Sequence, residues 1–307
     1  MKLKRTAVIG AGWFGRAHIR NYIEMSKLMA VCDENNGNLE IVKSSYEEIN
    51  TYTNIDEMLK NEDIHAASVV TPPSVIPELT RKCVEKGINV LMEKPMALKL
   101  EEIENLKRFQ NIRIMPGFIE LYNPVFEKLL ERLPELGEIV TITSKRIGLY
   151  PRRGWNMGVV LDLSIHDIYL QERILGEVKN VEAMVNRFID DNHEDAAFIL
   201  LDFGKAKGSI ESNWYTPTKF RRMYVHGAEG SIEIDFISQQ FNLRKGLDLT
   251  GNKPATKDET YSPLRLEEPL KKELKSFLYD NDEQVKVNLE DGIRALKIAL
   301  EVIKKAK

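Results

Sequence analysis

The sequence predicts two successive units: a doubly wound α/β unit with a parallel sheet, then an α+β unit with a large, mostly antiparallel open sheet. Up to about residue 117, short apolar strand segments alternate with helix segments, which is the pattern of parallel strands joined by crossover helices. Beyond about residue 120, strand segments follow one another with few helices between them, which indicates antiparallel pairing. We therefore expect domains at 1–119 and 120–307, with a last helix, 289–307, that packs back on the first domain.

The first strand segment runs into three glycines with the spacing G-x-G-x-x-G, namely Gly10, Gly12 and Gly15. In a strand–turn–helix, the first glycine permits the tight turn, the second lets the backbone approach a pyrophosphate, and the third lets the helix pack on the strand. Such glycines also occur in ordinary turns, so the motif needs a strand before it and a helix after it, and both are present. It predicts a Rossmann-type dinucleotide site that includes Gly10, Gly12, Trp13, Phe14 and Gly15.

The second strand segment ends in Asp33, about 20 residues after the glycines, where this motif places a carboxylate that binds the adenosine ribose. A carboxylate accepts hydrogen bonds from the ribose diol, whereas it repels the 2′-phosphate of NADP, which an arginine accommodates. Glu34 adds a second negative charge, and neither Lys nor Arg occurs from residue 33 to residue 42. We therefore predict NAD rather than NADP as the cofactor.

The rest of the first unit predicts strands at 66–70, 89–92 and 112–115 and helices at 77–86 and 100–109. The segment that follows Asp33 is short and polar for a crossover helix, so we expect the second crossover to be trimmed. The first of these strands stops at Thr71 and Pro72, and the second stops at Glu93 and Lys94. Because ligands bind beyond the carboxyl ends of parallel strands, we expect these four residues to line the cofactor site.

The second unit predicts helices at 124–133 and 159–175 and strands at 138–147, 178–187, 196–203, 208–214, 222–226 and 231–236. The last of these strands alternates strictly, with Ile232, Ile234 and Phe236 on one face. Glu233 and Asp235 lie on the other face. Such alternation is typical of a strand that has one buried face and one solvated face.

The composition excludes several classes of protein. The chain has 307 residues, 43% of them hydrophobic, which is enough for two cores, and its formal net charge is −3. A nucleic-acid or anionic-membrane partner leaves a basic footprint, which this balance lacks, so we expect neither. The two cysteines, Cys32 and Cys83, cannot form a disulfide framework and are typical of a reducing compartment. Without a signal segment or a membrane-length apolar run, we expect a cytoplasmic protein.

Two groups of residues are candidates for chemistry. Lys94 follows a parallel strand at its carboxyl end, although a surface lysine before a turn is the commoner role for such a residue. Asp162 and His166 are four residues apart on the predicted helix 159–175, so they share one face. On spacing alone, a local hydrogen bond is more common there than catalysis. We expect no metal site, because the other histidines lack ligand spacing: His18, His65, His193 and His226.

Three motifs resemble those of a known family: Gly10-Ala11-Gly12-Trp13-Phe14-Gly15, Glu93-Lys94-Pro95 and the run from Gly158 to Asp167. With the turn Gly227-Ala228-Glu229-Gly230-Ser231, they resemble the glucose–fructose oxidoreductase and inositol dehydrogenase (Gfo/Idh/MocA) family over nearly the whole chain. The resemblance implies an NAD-dependent dehydrogenase in which Lys94 binds substrate, Asp162 contacts it and His166 is the catalytic acid/base. It also implies a homodimer or homotetramer built on the exposed sheet face. Ile76 departs from the histidine that many members carry after the Thr-Pro motif.

A finer resemblance, over residues 119–124, 146–152 and 162–167, points to the UDP-N-acetylglucosamine 3-dehydrogenases of that family. It implies hydride transfer between NAD and C3 of a UDP-N-acetyl amino sugar. Arg152 and Arg153 then grip the diphosphate, or else belong to a solvated loop. Tyr122 and Asn123 contact the sugar, or else cap the helix that follows them. The alternatives are a dehydrogenase of a free sugar or inositol, and a non-catalytic NAD- and sugar-sensing protein on the same fold.

Overall fold

The computed structural model describes residues 3–151, 157–189, 191–248, 255–263 and 265–306. The contacts within the chain divide it into two compact units. The first comprises Met1–Phe118 and Leu270–Arg294, and the second comprises Ile119–Pro269 and Ala295–Lys307. The contacts thus group residues 270–294 with the first unit, whereas the predicted limits place them in the second domain. The domain limits 1–119 and 120–307 remain a prediction.

The first unit alternates strands and helices: β1 (Arg5–Ile9), α1 (Trp13–Met25), β2 (Lys27–Cys32), α2 (Asn36–Ser45), β3 (Asn50–Tyr52), α3 (Ile55–Asn61), β4 (Ala66–Val69), α4 (Ile76–Val84), β5 (Asn89–Glu93), α5 (Leu100–Glu104) and β6 (Ile114–Gly117). Its six strands pair in the order β3-β2-β1-β4-β5-β6, and every pair is parallel. The order changes direction beside β1, which makes the edge between β1 and β4 the switch point where ligands bind in such sheets. The prediction of a doubly wound parallel sheet is confirmed.

The central strands of this sheet are covered on both faces. Every residue of β4 is buried, and so is every residue of β5 after its first. A parallel sheet needs this burial because its crossover helices lie on its two faces. The central position of these strands therefore explains why their residues form short apolar runs. A central strand has no solvated face, so apolar and polar residues do not alternate along it.

The second crossover is complete, so the expectation that it is trimmed was wrong. Helix α2 spans ten residues between β2 and β3. The side chain of Asn35 caps it by accepting a hydrogen bond from the N–H of Gly37 at 2.8 Å. Only Leu39 and Val42 are buried from this helix. Helix α2 is therefore formed with a side-chain cap and a narrow apolar stripe, and it leads to β3, which has three residues.

The second unit contains α6 (Pro124–Arg132), β7 (Ile139–Leu149), α7 (Ile165–Leu175), β8 (Asn180–Asn186), β9 (Ala196–Asp202), β10 (Lys207–Asn213), β11 (Tyr215–Gly227), β12 (Gly230–Asp235), β13 (Gln240–Asp248) and β14 (Ala255–Tyr261). The strands form one sheet in the order β14-β13-β12-β11-β7-β10-β9-β8. All pairs are antiparallel except β7 with β10. This confirms the predicted large, mostly antiparallel sheet. Ile232 and Ile234 are buried and Glu233 is half-buried, as the alternation predicts.

Strands β13 and β14 have no counterpart among the predicted strands. Among the residues of β13 whose side chains are described, 240–246, Phe241 and Leu243 supply the buried apolar face. The residues of β14 from 257 to 261 are exposed, so their order comes from main-chain pairing with β13. A charged, polar edge strand carries no apolar period, and it also protects the edge of the sheet from pairing with other chains.

Two helices complete the chain: α8 (Pro269–Tyr279) and α9 (Leu289–Lys305). Helix α8 buries Leu270, Leu274 and Phe277. Arg113 donates a hydrogen bond to the carbonyl oxygen of Phe277 at 2.8 Å, within the first unit. No helix was predicted at α8, although the spacing of its buried residues is helical and identifies it. None of the helices in the described ranges has the length and hydropathy of a membrane-spanning segment.

Candidate active site

The turn from β1 into α1 requires glycine at two positions and leaves open space at a third. Gly10 has a φ of +98°, and a Cβ added there would lie 2.2 Å from the carbonyl oxygen of Val70. A Cβ at Gly15 would lie 1.9 Å from the carbonyl oxygen of Gly10. At Gly12, in contrast, an added Cβ meets no atom of the described chain within 4 Å. The loop is closed against the protein and open at Gly12, which fits the close approach of a pyrophosphate.

The start of α1 favours an anion and carries an exposed aromatic ring. Within the described chain, no side chain caps this helix, and its first turn contains no acidic residue. The first-turn N–H groups and the positive end of the helix dipole therefore suit a phosphate. The side chain of Trp13 is 72% exposed and stacks on Phe14 with ring centroids 5.9 Å apart. An aromatic surface thus lies beside the open part of the glycine loop.

Asp33 lies at the end of β2, next to the same loop. Its Oδ2 accepts hydrogen bonds from the N–H of Ala11 at 2.6 Å and from the side chain of Asn38 at 3.1 Å. Its Oδ1 accepts a hydrogen bond from the N–H of Asn35 at 2.8 Å. A carboxylate has about four acceptor positions, so three protein bonds leave room for a ribose hydroxyl. The residues of this edge therefore fit a dinucleotide with a free ribose diol.

The ends of β4 and β5 lie along the same edge of the sheet. Thr71 follows β4, and its Cγ2 would be 3.0 Å from a Cβ at Gly10, so it adjoins the glycine loop. Pro72 is exposed immediately after it. Glu93 and Lys94 follow on the neighbouring strand. The first unit therefore brings the predicted cofactor residues to one edge, as expected for parallel strands.

Glu93 is buried and supports the neighbouring backbone. The N–H of Lys94 donates a hydrogen bond to its Oε2 at 3.2 Å. The Nε2 atom of His18 lies 3.2 Å from its Oε1, without hydrogen-bond geometry. A Cβ at Gly117 would lie 2.8 Å from the same oxygen, so glycine is needed there to make room for the carboxylate. Glu93 thus links α1, β5 and β6, and the half-buried Lys94 begins from a fixed backbone.

The second candidate group lies in the second unit, where a π-helical turn, Val160–Ser164, leads into α7. Turns of this type occur frequently at functional sites. Asp162 and His166 are both buried, with exposed fractions of 6% and 5%. The Nδ1 atom of His166 is hydrogen-bonded to the hydroxyl of Tyr169 at 2.8 Å. The hydroxyl oxygen of Tyr169 in turn accepts a hydrogen bond from the backbone N–H of Glu120 at 3.2 Å.

A buried cluster of charges lies beside this segment. Arg146 on β7 is 1% exposed and donates to Asp167 Oδ2 and to Glu120 Oε1, each at 2.8 Å. A second guanidinium, that of Arg221 on β11, lies 3.5 Å from Glu120 Oε1. The guanidinium of Arg146 also lies over the ring of Phe236, 5.3 Å from its centroid. We call these four charged residues the Arg146 cluster: Glu120, Arg146, Asp167 and Arg221.

The carboxylates of the cluster shift in opposite directions. Burial raises the pKa of Glu120, but the charges of Arg146 and Arg221 and the hydrogen bonds from Arg146 and Asn123 outweigh burial and hold it below its usual range. For Asp167, burial outweighs the ion pair with Arg146, so its pKa lies above the usual range. Burial and the neighbouring Arg146 lower the pKa of Arg221. The charges of Arg146 and Arg221 act on both carboxylates, and they outweigh burial only at Glu120.

The start of the π-helical turn is held by Glu194, which the sequence analysis did not single out. Its backbone carbonyl accepts a hydrogen bond from the N–H of Val159 at 2.8 Å, and its Oε1 accepts one from Val160 at 3.1 Å. A Cβ at Gly158 would lie 2.1 Å from this carboxyl group. Burial raises the pKa of Glu194. The segment that carries Asp162 is therefore anchored at its first residues.

Two family models match this chain in its two halves. An oxidoreductase family model with an NAD-binding Rossmann fold matches residues 4–111, and the model of the C-terminal domain of the same family matches residues 132–233. Together they cover more than half of the chain. The chain belongs to the Gfo/Idh/MocA family. As a member it is an NAD-dependent dehydrogenase, which confirms the predicted family, cofactor and class of enzyme.

The relatives include dehydrogenases of different substrates. A UDP-N-acetylglucosamine 3-dehydrogenase of Acidithiobacillus ferrooxidans is 26% identical over 280 residues, which are 89% of this chain and 87% of that protein. A solved structure of that enzyme has a TM-score of 0.90 at 25% identity and covers 100% of this chain and 98% of that one. A scyllo-inositol 2-dehydrogenase (NAD(+)) of Bacillus subtilis is 28% identical over 77% of this chain and 75% of that protein.

The predicted substrate residues of this Gfo/Idh/MocA chain are placed unequally. Tyr122 and Asn123 are buried. The side chain of Asn123 accepts from the N–H of Val125 at 3.3 Å and donates to Glu120 and to the carbonyl oxygen of Phe236, each at 3.1 Å. The bond from Val125 caps α6, and the other two tie Asn123 to Glu120 and to the end of β12. A sugar contact by Tyr122 or Asn123 remains a prediction. Arg152 and Arg153 lie outside the described residues.

The remaining predicted residues divide between the units. Lys94 and the cofactor residues belong to the first unit, and Asp162 and His166 belong to the second. Among the described residues, no group of three or more His, Cys, Asp or Glu side chains is arranged to hold a metal ion. Three supporting residues are not predicted from the sequence: Arg146, Tyr169 and Glu194. Arg146 lies within one of the motifs that resemble the family, and Tyr169 lies two residues after another, so their positions could have drawn attention to them. Their burial is seen only in the folded structure.

Proposed function

We propose that this Gfo/Idh/MocA protein oxidises a secondary alcohol of a sugar with NAD, most specifically C3 of a UDP-N-acetyl amino sugar. The observation that carries the proposal is the buried Asp162–His166 pair on the π-helical turn and α7. An imidazole and a carboxylate in one buried segment are groups that can take and hold the proton of an alcohol. The identity of 26% to a UDP-N-acetylglucosamine 3-dehydrogenase over 280 residues supports a nucleotide-sugar substrate.

His166 is the base in the proposed oxidation. Its ordinary pKa, about 6.5, lets an imidazole take up a proton near neutral pH. The alcohol proton passes to Nε2, because Nδ1 is engaged by Tyr169. NAD, when bound, accepts the hydride from the carbon that carries the alcohol. One hydride and one proton leave the CH–OH group, and the product is a carbonyl.

Lys94 and Asp162 assist this step in the proposal. The ammonium group of Lys94 stabilises the negative charge that develops on the alcohol oxygen. Asp162 accepts a hydrogen bond from a sugar hydroxyl and so orients the ring. The residues that hold NAD are the predicted set at the edge of the parallel sheet: Gly10, Gly12, Trp13, Phe14, Gly15, Asp33, Thr71, Pro72, Glu93 and Lys94. The open space at Gly12 and the remaining acceptor position of Asp33 support this assignment.

A free sugar or inositol is the second candidate substrate. The identity of 28% to a scyllo-inositol 2-dehydrogenase favours it. The two candidates need the same proton and hydride transfers and differ in one respect, which is the diphosphate. Under the first candidate, Arg152 and Arg153 bind the diphosphate through bidentate contacts. Under the second, neither arginine affects the reaction.

The first experiment follows NADH formation with a panel of alcohols. The purified protein and NAD are mixed with UDP-N-acetylglucosamine, UDP-glucose, free N-acetylglucosamine, glucose or myo-inositol. Turnover of the UDP-amino sugar alone supports the first candidate, and NMR of the product identifies the oxidised carbon. Turnover of a free sugar or inositol instead replaces it with the second candidate. NAD binding without turnover of any alcohol supports the sensing alternative.

Matched variants test the assigned roles. His166→Gln should lower turnover by roughly 10²- to 10⁴-fold, the usual contribution of a general base, and should leave NAD binding unchanged. His226 is exposed on β11, so His226→Gln should retain full turnover. Equal turnover in the two variants would reject His166 as the base. Arg152→Ala and Arg153→Ala should raise the KM for a UDP-sugar and leave the KM for a free sugar unchanged.

We also propose that the chain forms a homodimer or homotetramer through the exposed face of its eight-stranded sheet. Met184 on β8 and Phe198 on β9 are direct partners in the sheet, and both are exposed. Leu200, two residues further along β9, is exposed on the same face. Light scattering of the eluting protein measures the mass. Phe198→Glu should reduce it to that of one chain, and a monomeric unmutated protein would contradict the proposal.

A further inference from the structure

Tyr169 contacts the Nδ1 atom of His166, whereas the proposed reaction uses Nε2. Its hydroxyl oxygen lies 2.8 Å from Nδ1, and the two rings meet edge to face with centroids 5.6 Å apart. The two residues are three positions apart on α7, so the helix itself holds them together. Both side chains are buried. The imidazole therefore has one nitrogen whose partner is set by the fold.

A second contact determines what the Tyr169 oxygen can do. The backbone N–H of Glu120 donates to it at 3.2 Å, and a backbone N–H can act only as a donor. The phenolic oxygen is therefore an acceptor from one side. Towards Nδ1 the phenol can either accept an N–H through its second lone pair or donate its own hydrogen, and a distance of 2.8 Å suits both. Only acceptance by the phenol leaves the neutral ring with its proton on Nδ1 and its lone pair on Nε2, which is the arrangement that the proposed base needs.

Several elements bring charged groups to this part of the second unit, and three of these groups are paired with one another: Glu120, Arg146 and Asp167. From the turn before α7 comes Asp162, and from α7 itself comes Asp167, which bonds Arg146 of β7. Glu120, from the segment before α6, bonds Arg146 and lies near Arg221 of β11. The group bonded to Nδ1 is a phenol rather than a carboxylate. A carboxylate in that place would stabilise the imidazolium and raise the pKa of the ring, so less of the neutral, proton-accepting form would be present near neutral pH.

We propose that Tyr169 is a positioning residue: its phenolic oxygen holds the ring proton of His166 on Nδ1, so that Nε2 is the atom that takes the alcohol proton. This inference deepens the proposed function and rests on it. Before the step, the neutral ring carries its proton on Nδ1. The O–H bond of the alcohol breaks, its proton forms an N–H bond at Nε2, and the imidazolium keeps Nδ1–H bonded to Tyr169. The opposite tautomer has a proton on Nε2 and cannot act as this base.

The test reads the tautomer directly, without turnover. Protein labelled with ¹⁵N in its five histidines is studied by NMR across pH, and the signals missing in His166→Gln identify those of His166. The unmutated protein should show a neutral ring with its proton on Nδ1. Tyr169→Phe removes only the hydroxyl and should redistribute that proton between the two nitrogens. Tyr169→Asp puts a carboxylate in the same place and should raise the pKa of His166 by about one to three pH units.

Kinetics supply the second readout. With a substrate that the panel identifies, Tyr169→Phe should lower kcat by about tenfold or more with little change in KM, because the alcohol still binds but meets the wrong tautomer. Tyr169→Asp should move the acid limb of the kcat profile to higher pH by the shift that NMR measures. Tyr224→Phe is the matched control. It also removes one part-buried hydrogen bond of a tyrosine hydroxyl, to Glu233 at 3.1 Å, elsewhere in the same unit.

The outcomes separate this inference from the proposed function. An unchanged tautomer and pH profile in Tyr169→Phe would overturn the role of Tyr169 even if the protein oxidises a sugar. A ring proton on Nε2 in the unmutated protein would overturn it as well. A proton on Nδ1 that is lost in Tyr169→Phe supports the inference even if no alcohol in the panel is turned over, because the NMR measurement needs no substrate. The circular dichroism spectrum of Tyr169→Phe, compared with that of the unmutated protein, checks that the variant is folded.

Discussion

Removal of the Arg146 charge should destabilise the second unit far more than removal of a neighbouring surface arginine. Arg146→Met keeps a chain of similar length over Phe236 and deletes the guanidinium. The two carboxylates of Glu120 and Asp167 then stay buried, and only Glu120 keeps a second guanidinium, 3.5 Å away on Arg221. Breaking a buried ion pair by removing one partner costs about 3–5 kcal/mol. Because Asp167 loses both of its Arg146 bonds, we expect a cost in this range.

The matched control lies on the adjacent strand. In the pairing of β7 with β11, Arg146 is opposite Arg221, and Lys145 is opposite Arg222. Since successive side chains alternate between faces, Arg222 lies on the face opposite to the cluster. Arg222 bonds Asp235 at 3.0 Å and Glu233 at 3.1 Å, but its side chain is 35% exposed. Exposed ion pairs contribute about 0–1 kcal/mol, so Arg222→Met should have a small effect.

The assay is urea unfolding followed by circular dichroism at neutral pH. A second variant, Arg146→Met with Asp167→Asn, removes the uncompensated charge and should recover part of the loss. The cost of Arg146→Met should also shrink as the pH falls, because the pKa of Asp167 is already raised and its protonation neutralises the buried charge. Equal midpoints for Arg146→Met and Arg222→Met would refute the reasoning that burial determines the value of these ion pairs.

Three further predictions follow from the described contacts. Gly12→Ala should change the free energy of unfolding by no more than about 0.5 kcal/mol, because the added Cβ meets open space. The same Cβ should weaken NAD binding at least about tenfold, because it lies where the pyrophosphate approaches. An unchanged NAD affinity in a fluorescence titration would place the phosphates elsewhere. Burial raises the folded-state pKa of Glu194, so its carboxylate costs stability above that pKa and costs nothing below the unfolded value. Glu194→Gln should therefore be the more stable protein in melts at pH 7, with a difference that vanishes towards pH 4; a difference independent of pH would contradict this. Burial raises the pKa of Cys32 and Cys83 to about 12. At pH 8 the native thiols should therefore react with an alkylating reagent on the order of a thousandfold more slowly than they do in urea. Mass spectrometry counts the adducts, and fast labelling of the native protein would refute the burial of these thiols.

The parallel sheet of the first unit is the part of the structure that sequence reasoning predicts best, and the cofactor residues at its edge remain a prediction. The glycine spacing, Asp33 and the strand ends at Thr71 and Glu93 all depend on local chain geometry and on the parallel order of strands. The structure adds that Gly10 and Gly15 are confined by carbonyl oxygens, while Gly12 has open space. It also shows Glu93 as a buried support for Lys94, a role that its place in a motif does not reveal.

Elements without a strong apolar period were harder to predict. Helix α2 has a narrow buried stripe and depends on its Asn35 cap, and β14 is ordered by pairing with β13. Their stability comes from neighbours in the fold, so the local pattern is weak even where the structure is regular. Helix α8 differs from α2 and β14, because the helical spacing of its buried residues can be seen in the sequence. Only its partners, such as Arg113, come from elsewhere in the chain.

Periodicity, glycine spacing and chain direction act over a few neighbouring residues, so the amino-acid sequence predicts the two kinds of sheet and the dinucleotide motif, and it places Asp162 and His166 four residues apart. The burial of Arg146 follows only from the folded chain, since its partners come from segments 21 and 26 residues away. The same holds for the contact between the backbone of Glu120 and Tyr169, 49 residues further on. A charge or hydroxyl is stable in the interior only where distant groups converge to pair with it, and a linear pattern does not contain that convergence.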